Sequence, residues 1–124
     1  MNIIPYAGLG TIPDELYNLK KLSSLRLYHT KLKGTISSSI SNLNKLSWLW
    51  LHQNQFTGTL SMTDISSHLH GLTSLTLFGN KNLHVEDEET LCTLREDYDL
   101  LHLWIDCDKD GSCRCCTKCY QRHL

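Results

Sequence analysis

The sequence predicts an α/β fold, a right-handed repeat solenoid carrying one short parallel sheet, and three observations lead there. A leucine pattern recurs along residues 22–83, a Gly-Thr-aliphatic marker recurs every 24 residues, and all six cysteines lie at or after position 92. Repetition at such a period marks stacked coils, none of which can bury its apolar side alone.

The strands come first. Leu22, Leu25, Leu27 and Leu32 form LxxLxLxxTxL, and Leu46, Leu49, Leu51, Asn54 and Phe56 form LxxLxLxxNxF. Leu72, Leu75, Leu77 and Asn80 repeat the pattern, with Leu83 one step late. Inside each strand alternate residues face opposite ways, so the leucines point inward and their neighbours outward. An asparagine at the following turn can both donate to and accept from backbone groups that stacking removes from water. Asn54 and Asn80 fill that rung, Thr30 substitutes weakly, Asp108 occupies it in the last copy, and Tyr6 departs from it.

The second marker is Gly10-Thr11-Ile12, Gly34-Thr35-Ile36 and Gly58-Thr59-Leu60. Each return half, such as Ile12 through Leu19, has the spacing of a short helical or 3₁₀ turn on the convex side. Between Leu46 and Leu72 the repeat is expanded by two residues. Shifting the pattern back by one 24-residue period sets Leu25 on Met1 and Leu27 on Ile3. The chain would then start inside a strand, as a C-terminal piece of a longer solenoid or a truncated gene product, with any cap and secretory signal lost with the front end. About five strands are expected, centred near Ile3, Arg26, Trp50, Thr76 and Trp104.

Residues 1–85 are thus assigned to the repeats and residues 86–124 to a C-terminal cap. Glu86-Asp87-Glu88-Glu89 before Leu91, Leu94 and Tyr98 predicts a helix whose acidic first turn complements its dipole. A last strand follows at Leu100–Ile105. The six cysteines, Cys92, Cys107, Cys113, Cys115, Cys116 and Cys119, are even in number and crowded, which predicts disulfides and an oxidising compartment. Fifteen connectivities are open. Adjacent Cys115 and Cys116 should take different partners, because a bond between neighbours violates ordinary disulfide geometry. Cys92 and Cys107 should each pair into the 113–119 cluster, tying the tail to helix and strand.

Gly10-Thr11-Ile12-Pro13-Asp14-Glu15-Leu16-Tyr17-Asn18-Leu19-Lys20-Lys21-Leu22 closely resembles the plant-type leucine-rich repeat, LxGxIPxxLxxLxxL. That class includes ectodomains of receptor-like kinases and receptor-like proteins, and polygalacturonase inhibitors. Leu103-Trp104-Ile105-Asp106-Cys107, then Cys113-Arg114-Cys115-Cys116-Thr117-Lys118-Cys119-Tyr120, resembles the cap of leucine-rich-repeat proteins of diatoms and related algae. Ser37 and Ser61 stand where the repeat would carry proline. The resemblance implies a leucine-rich-repeat solenoid that recognises a protein or peptide outside the cell or at its surface.

Three lanes of outward residues should cross the strands. One holds Ser24, Trp48, Ser74 and His102; the next Asn2, Arg26, Trp50, Thr76 and Trp104; the third Ile4, Tyr28, His52, Phe78 and Asp106. All three tryptophans fall on this concave face. Aromatic and arginine side chains dominate interaction hot spots, so Arg26, Tyr28, Trp48, Trp50, His52, Phe78, His102 and Trp104 are the candidate ligand-binding residues. The competing reading is cross-strand packing. Carbohydrate stacking on indole rings is the alternative ligand class, and a structural adhesion or cell-wall role without a discrete ligand is the alternative function.

Other chemistries have weaker support. Zinc on Cys113, Cys115, Cys116 and Cys119 lacks the long loop that usually separates two ligand pairs. Asp106 to Gly111 matches half a calcium loop, but Thr117 stands where the bidentate glutamate belongs. His68 and His70 read as a polar convex turn. No catalytic constellation is present, so the expectation is a non-enzymatic protein without cofactor. A net charge of −1 gives no reason to expect nucleic acid, and no apolar run is long enough for a transmembrane helix.

Overall fold

A computed structural model describes residues 2–3, 10–107 and 113–120. Within them β1 (Asn2–Ile3), β2 (Ser24–Arg26), β4 (Trp48–Trp50), β6 (Ser74–Thr76), β8 (His102–Asp106) and β9 (Lys118–Tyr120) form one sheet in that order. Every pairing in it is parallel. The inward leucines Leu25, Leu27, Leu49, Leu51, Leu75 and Leu77 are buried together with Leu22, Leu46, Leu72 and Leu103. The arrangement is mixed α/β and consistent with a leucine-rich-repeat fold.

Register follows the sequence pattern with one correction. Leu25 pairs with Leu49, Leu49 with Leu75 and Leu75 with Leu103. At the first strand, however, Asn2 stands level with Ser24 and Ile3 with Leu25. The 24-residue shift had set Ile3 against Leu27. The slip is two residues, so Asn2 pairs with Ser24 rather than with Arg26. Ile4, Tyr6 and Asp108 lie outside the described residues.

The asparagine rung works as hydrogen-bond geometry requires. Asn54 Oδ1 accepts from the Thr30 and Leu32 amides and the Thr30 hydroxyl, at 3.0–3.1 Å. Its Nδ2 donates to the carbonyls of Leu27, Leu51 and His52. Asn80 accepts from the Phe56 amide and donates to Leu51 and Leu77 carbonyls. Among the described residues no buried side-chain nitrogen or oxygen lacks a partner.

The return halves differ from one another. Asp14–Asn18 and Ser38–Asn42 are 3₁₀ turns, whereas the expanded coil holds an α-helix, α1 (Met62–His68). The two extra residues are absorbed there, outside the sheet. Ser37 takes the same extended backbone as Pro13 and caps its turn by accepting from the Ser39 amide.

A second sheet was not expected. β3 (Lys33–Thr35), β5 (Gln55–Ser61) and β7 (Asn82–Glu86) pair in parallel on the way to the return segments. The Gly-Thr marker belongs to it. Gly34 and Gly58 have φ of +83° and +80°, and a Cβ on either would lie 3.0–3.1 Å from the γ-methyl of Thr11 or Thr35 in the preceding coil. Glycine at these positions answers both a left-handed backbone and a close approach.

The cap helix, α2 (Leu91–Asp97), buries Leu91, Cys92 and Leu94. Its acidic first turn is corrected by the structure. Glu86 ends β7, Asp87 has a left-handed φ and accepts from the Thr63 hydroxyl, and a 3₁₀ turn at Glu88–Thr90 leads into the helix. Glu86 therefore terminates a strand, Glu88 and Glu89 lie in the 3₁₀ turn ahead of the helix, and α2 has no acid in its first turn. Tyr98 lies beyond the helix, exposed, with its ring 4.3 Å from His70.

All six cysteines are paired, as Cys92–Cys115, Cys107–Cys119 and Cys113–Cys116. Cys115 and Cys116 have different partners, and Cys92 and Cys107 each bond into the tail. The four cysteines weighed as zinc ligands are consumed by these bonds. Between the last two strands of the sheet, Thr117 donates its hydroxyl and amide to the Leu103 carbonyl, and its oxygen also accepts from the Leu103 amide. No helix among the described residues is long and apolar enough to cross a membrane.

Candidate functional site

The six-stranded sheet presents its outward residues as two kinds of row. Residues at the first position of each strand, Ser24, Trp48, Ser74 and His102, stand level, and so do Arg26, Trp50, Thr76, Trp104 and Lys118. The first row alternates small and large residues, the second has Thr76 as its one small residue, and the large ones cover the small. Trp50 Nε1 donates to Ser74 Oγ at 2.8 Å and Arg26 Nε to Ser24 Oγ at 3.1 Å. Ser24, Ser74 and Thr76 are buried beneath them, although their positions point away from the leucine core.

Beyond the strand ends the third lane becomes a ladder of rings. Tyr28 stacks on His52 with centroids 4.9 Å apart, and His52 stacks on Phe78 at 4.6 Å. Phe78 in turn stacks on Tyr120 at 3.9 Å. Backbone bonds hold the lane level after the strands end: the Leu27, His29, Leu51 and Gln53 amides donate to the Trp50, His52, Thr76 and Phe78 carbonyls. His52 Nδ1 lies 2.5 Å from Thr76 Oγ1. Burial between the rings lowers the His52 pKa, and the neighbouring His29 charge lowers it further. The imidazole is therefore neutral near pH 7 and behaves as one more aromatic.

Cations sit on the indoles. The Arg26 guanidinium lies 4.2 Å from the Trp48 ring centroid and 5.2 Å from that of Trp50, and those two indoles are parallel and 5.5 Å apart. At the other end Lys118 Nζ lies 4.8 Å from the Tyr120 ring and 5.6 Å from Trp104. Contacts of this kind hold a charge over a ring face without neutralising it.

Exposure grades the eight candidate residues. Trp48 and Tyr28 are exposed at 38% and 37%, His102 is exposed, and Arg26, Trp50, His52 and Trp104 are half-buried. Phe78 is only 8% exposed, so it supports its neighbours and offers little surface of its own. Lys118 and Tyr120 join the same face and were missed in the sequence. Their signal was the alternation Lys118-Cys119-Tyr120 around one inward cysteine, too short to stand out from the cysteine cluster.

The remaining candidates separate. His68 Nδ1 contacts the Asp64 carbonyl while His70 stacks on Tyr98, so the two histidines do not converge. Asp106 accepts from the Gly79 amide, and the rest of the half calcium loop, Asp108 to Gly111, lies outside the described residues. Among the described residues no three His, Cys, Asp or Glu side chains gather as a metal site.

The Leucine Rich Repeat family model matches residues 21–43, which span β2, the Thr30 rung, the Gly34 turn and the 3₁₀ segment after it. The match supports a leucine-rich-repeat protein. Repeats of this family typically serve as non-enzymatic modules for protein interaction. No curated protein matches the chain.

Proposed function

We propose that this leucine-rich-repeat protein is a non-catalytic recognition module that binds a protein or peptide on the aromatic face of its six-stranded sheet. The observation that carries this reading is the continuity of that face, with rings and ring-bound cations running from β2 to β9. Large exposed aromatics organised in this way mark interaction surfaces. Arg26, Tyr28, Trp48, Trp50, His52, His102 and Trp104 form the binding surface, with Phe78 as its support.

In the same reading residues 1–85 stack as coils of a right-handed solenoid and residues 86–124 cap it, the sheet lining the concave side. The cap resembles those of algal proteins and the repeat the plant receptor-like class. Three disulfides suit an oxidising environment, which favours an extracellular or cell-surface location.

The test compares wild type with a Trp48→Ala/Trp50→Ala double variant against secreted and surface proteins, measuring saturable binding. Saturable capture by wild type, lost in the variant, is expected. Equal capture by both would remove the face from the reading. Competition by simple sugars at the same tryptophans would move the ligand to carbohydrate, which also stacks on exposed indoles.

A further inference from the structure

Charge on this protein is sorted by position in the coil. The strand-and-turn segments 20–35, 44–57, 70–83, 102–107 and 113–120 carry nine lysines and arginines against one acid, Asp106. The return segments 10–19, 36–43, 58–69 and 84–101 carry ten acids against one base, Arg95. Arg95 turns inward along its own chain, donating to the Leu100 and Leu101 carbonyls. A net charge of −1 conceals this division. Among the described residues, the segments that build the strands and their adjoining turns are thus basic, and the return segments are acidic.

The basic segments also have a place for an anion to sit. A shallow recess of about 280 Å³ opens where the strands end, lined by His29, Lys31, Gln53, Asn54, Gln55 and Gly79. His29 and Lys31 are exposed there. The Asn54 amide, by contrast, is fully engaged in the rung between coils. The recess continues directly from the Tyr28–His52 ring stack, since His29 and Gln53 follow those residues in the chain.

We propose that the partner presents an acidic peptide segment bearing aromatic or apolar side chains. Its carboxylates meet Arg26, Lys118 and the Lys31–His29 recess, while its apolar groups lie on Trp48 and Tyr28. This rests on the binding reading above and names the chemistry of the ligand. Arg26 and Lys118 have rings as partners, so each adds attraction for a carboxylate without first breaking an ion pair. A nucleic acid fits less well, because five of the nine cations fall within residues 20–33 and so do not track a backbone across the sheet.

Selection of a random peptide library on the immobilised, oxidised protein tests the inference, with net charge of the enriched peptides as the readout. Enrichment of acidic sequences containing aromatics is expected. The best peptide should bind more weakly as salt rises, and its Asn/Gln-neutralised copy should bind more weakly at any one salt concentration. Arg26→Gln and Lys31→Gln should each lower its affinity about two- to fivefold, the range of single solvent-exposed charge pairs. Glu89→Gln in an acidic return segment should leave it unchanged, and Lys31, being exposed, can be replaced without disturbing the core. Trp48- and Trp50-dependent peptides of no particular charge would overturn the acidic partner and leave the face. Competition by oligo(dT) at the same residues would overturn it in favour of a general polyanion surface. Absence of any tryptophan-dependent peptide would remove both readings.

Discussion

A single amide side chain can matter more than its area when it bonds several buried backbone groups at once. Asn80 is fully buried and serves the Phe56 amide and the Leu51 and Leu77 carbonyls. Asn80→Ala should destabilise the protein by about 2–4 kcal/mol in urea unfolding, because the Phe56 amide and the Leu77 carbonyl lose this partner away from water, whereas the Leu51 carbonyl keeps its bond from Asn54. Thr30→Ala should cost far less, since Asn54 still accepts from the Thr30 and Leu32 amides. His52 supplies the second prediction at this scale. Its folded pKa lies below the ordinary histidine value because it is buried, so the unfolded chain takes up the proton first as pH falls. The associated stability is fully present above the unfolded value of about 6.5 and is lost as pH drops towards the folded pKa. Tm should therefore decline more steeply below that pH in wild type than in His52→Phe, which keeps a ring between Tyr28 and Phe78. Identical slopes would remove His52 from the pH response. These roles were legible in advance for the asparagines, whose spacing names them, whereas the stacking of His52 was not, because a lane position does not say how rings will turn.

Elements were legible where one residue pattern repeats and obscure where only one side of the pattern is apolar. The leucines announced β2, β4 and β6 because each of these coils buries two of them in phase, β8 followed with Leu103 and Ile105, and β1 came from carrying the period back. β3 stayed hidden because it reads exposed, half-buried and exposed around Gly34, and β5 and β7 because their buried residues, Phe56, Leu60 and Leu83, are too few and too widely spaced to show an alternation. Their trace was the Gly-Thr marker, whose meaning is steric. Gly58→Ala should cost about 1–3 kcal/mol, combining a left-handed backbone with the contact to Thr35. Adding Thr35→Ala should recover part of that loss by removing the γ-methyl, and urea midpoints of Gly58→Ala, Thr35→Ala and the double variant against wild type check it. Full recovery would mean the backbone contributes nothing, and no recovery would mean the contact does not. β9 was hidden for another reason. Lys118-Cys119-Tyr120 becomes a strand because Cys119 is tied to Cys107 and the Thr117 bonds set its start, and neither constraint is visible in a three-residue alternation.

At the scale of the whole molecule, each strand of the main sheet pairs only with the strands beside it. Such an array loses structure from its ends, at a rate set by how well each end is held. The C-terminal end is held by Cys92–Cys115 to α2 and by Cys107–Cys119 to β8, closing loops of 23 and 12 residues by sequence separation. Loop closure of this size stabilises by roughly 3 kcal/mol per bond. Cys113–Cys116 spans only three residues and stays within the tail, so it adds least to the join. Reduction should therefore act locally before it acts globally. Amide exchange followed by mass spectrometry, with and without reductant, should show protection falling first at 113–120, then at 102–107, and last at β4 and β6. Lys118 and Tyr120 stand on the first strand to leave, so the end of the aromatic face should loosen with it, exposing Phe78 where Tyr120 had stacked. A Cys107→Ser/Cys119→Ser variant should reproduce that pattern without reductant while keeping the Cys92–Cys115 bond. If exchange instead rises uniformly across all six strands, the molecule unfolds as one cooperative unit, and the bonds stabilise the whole rather than guarding one end.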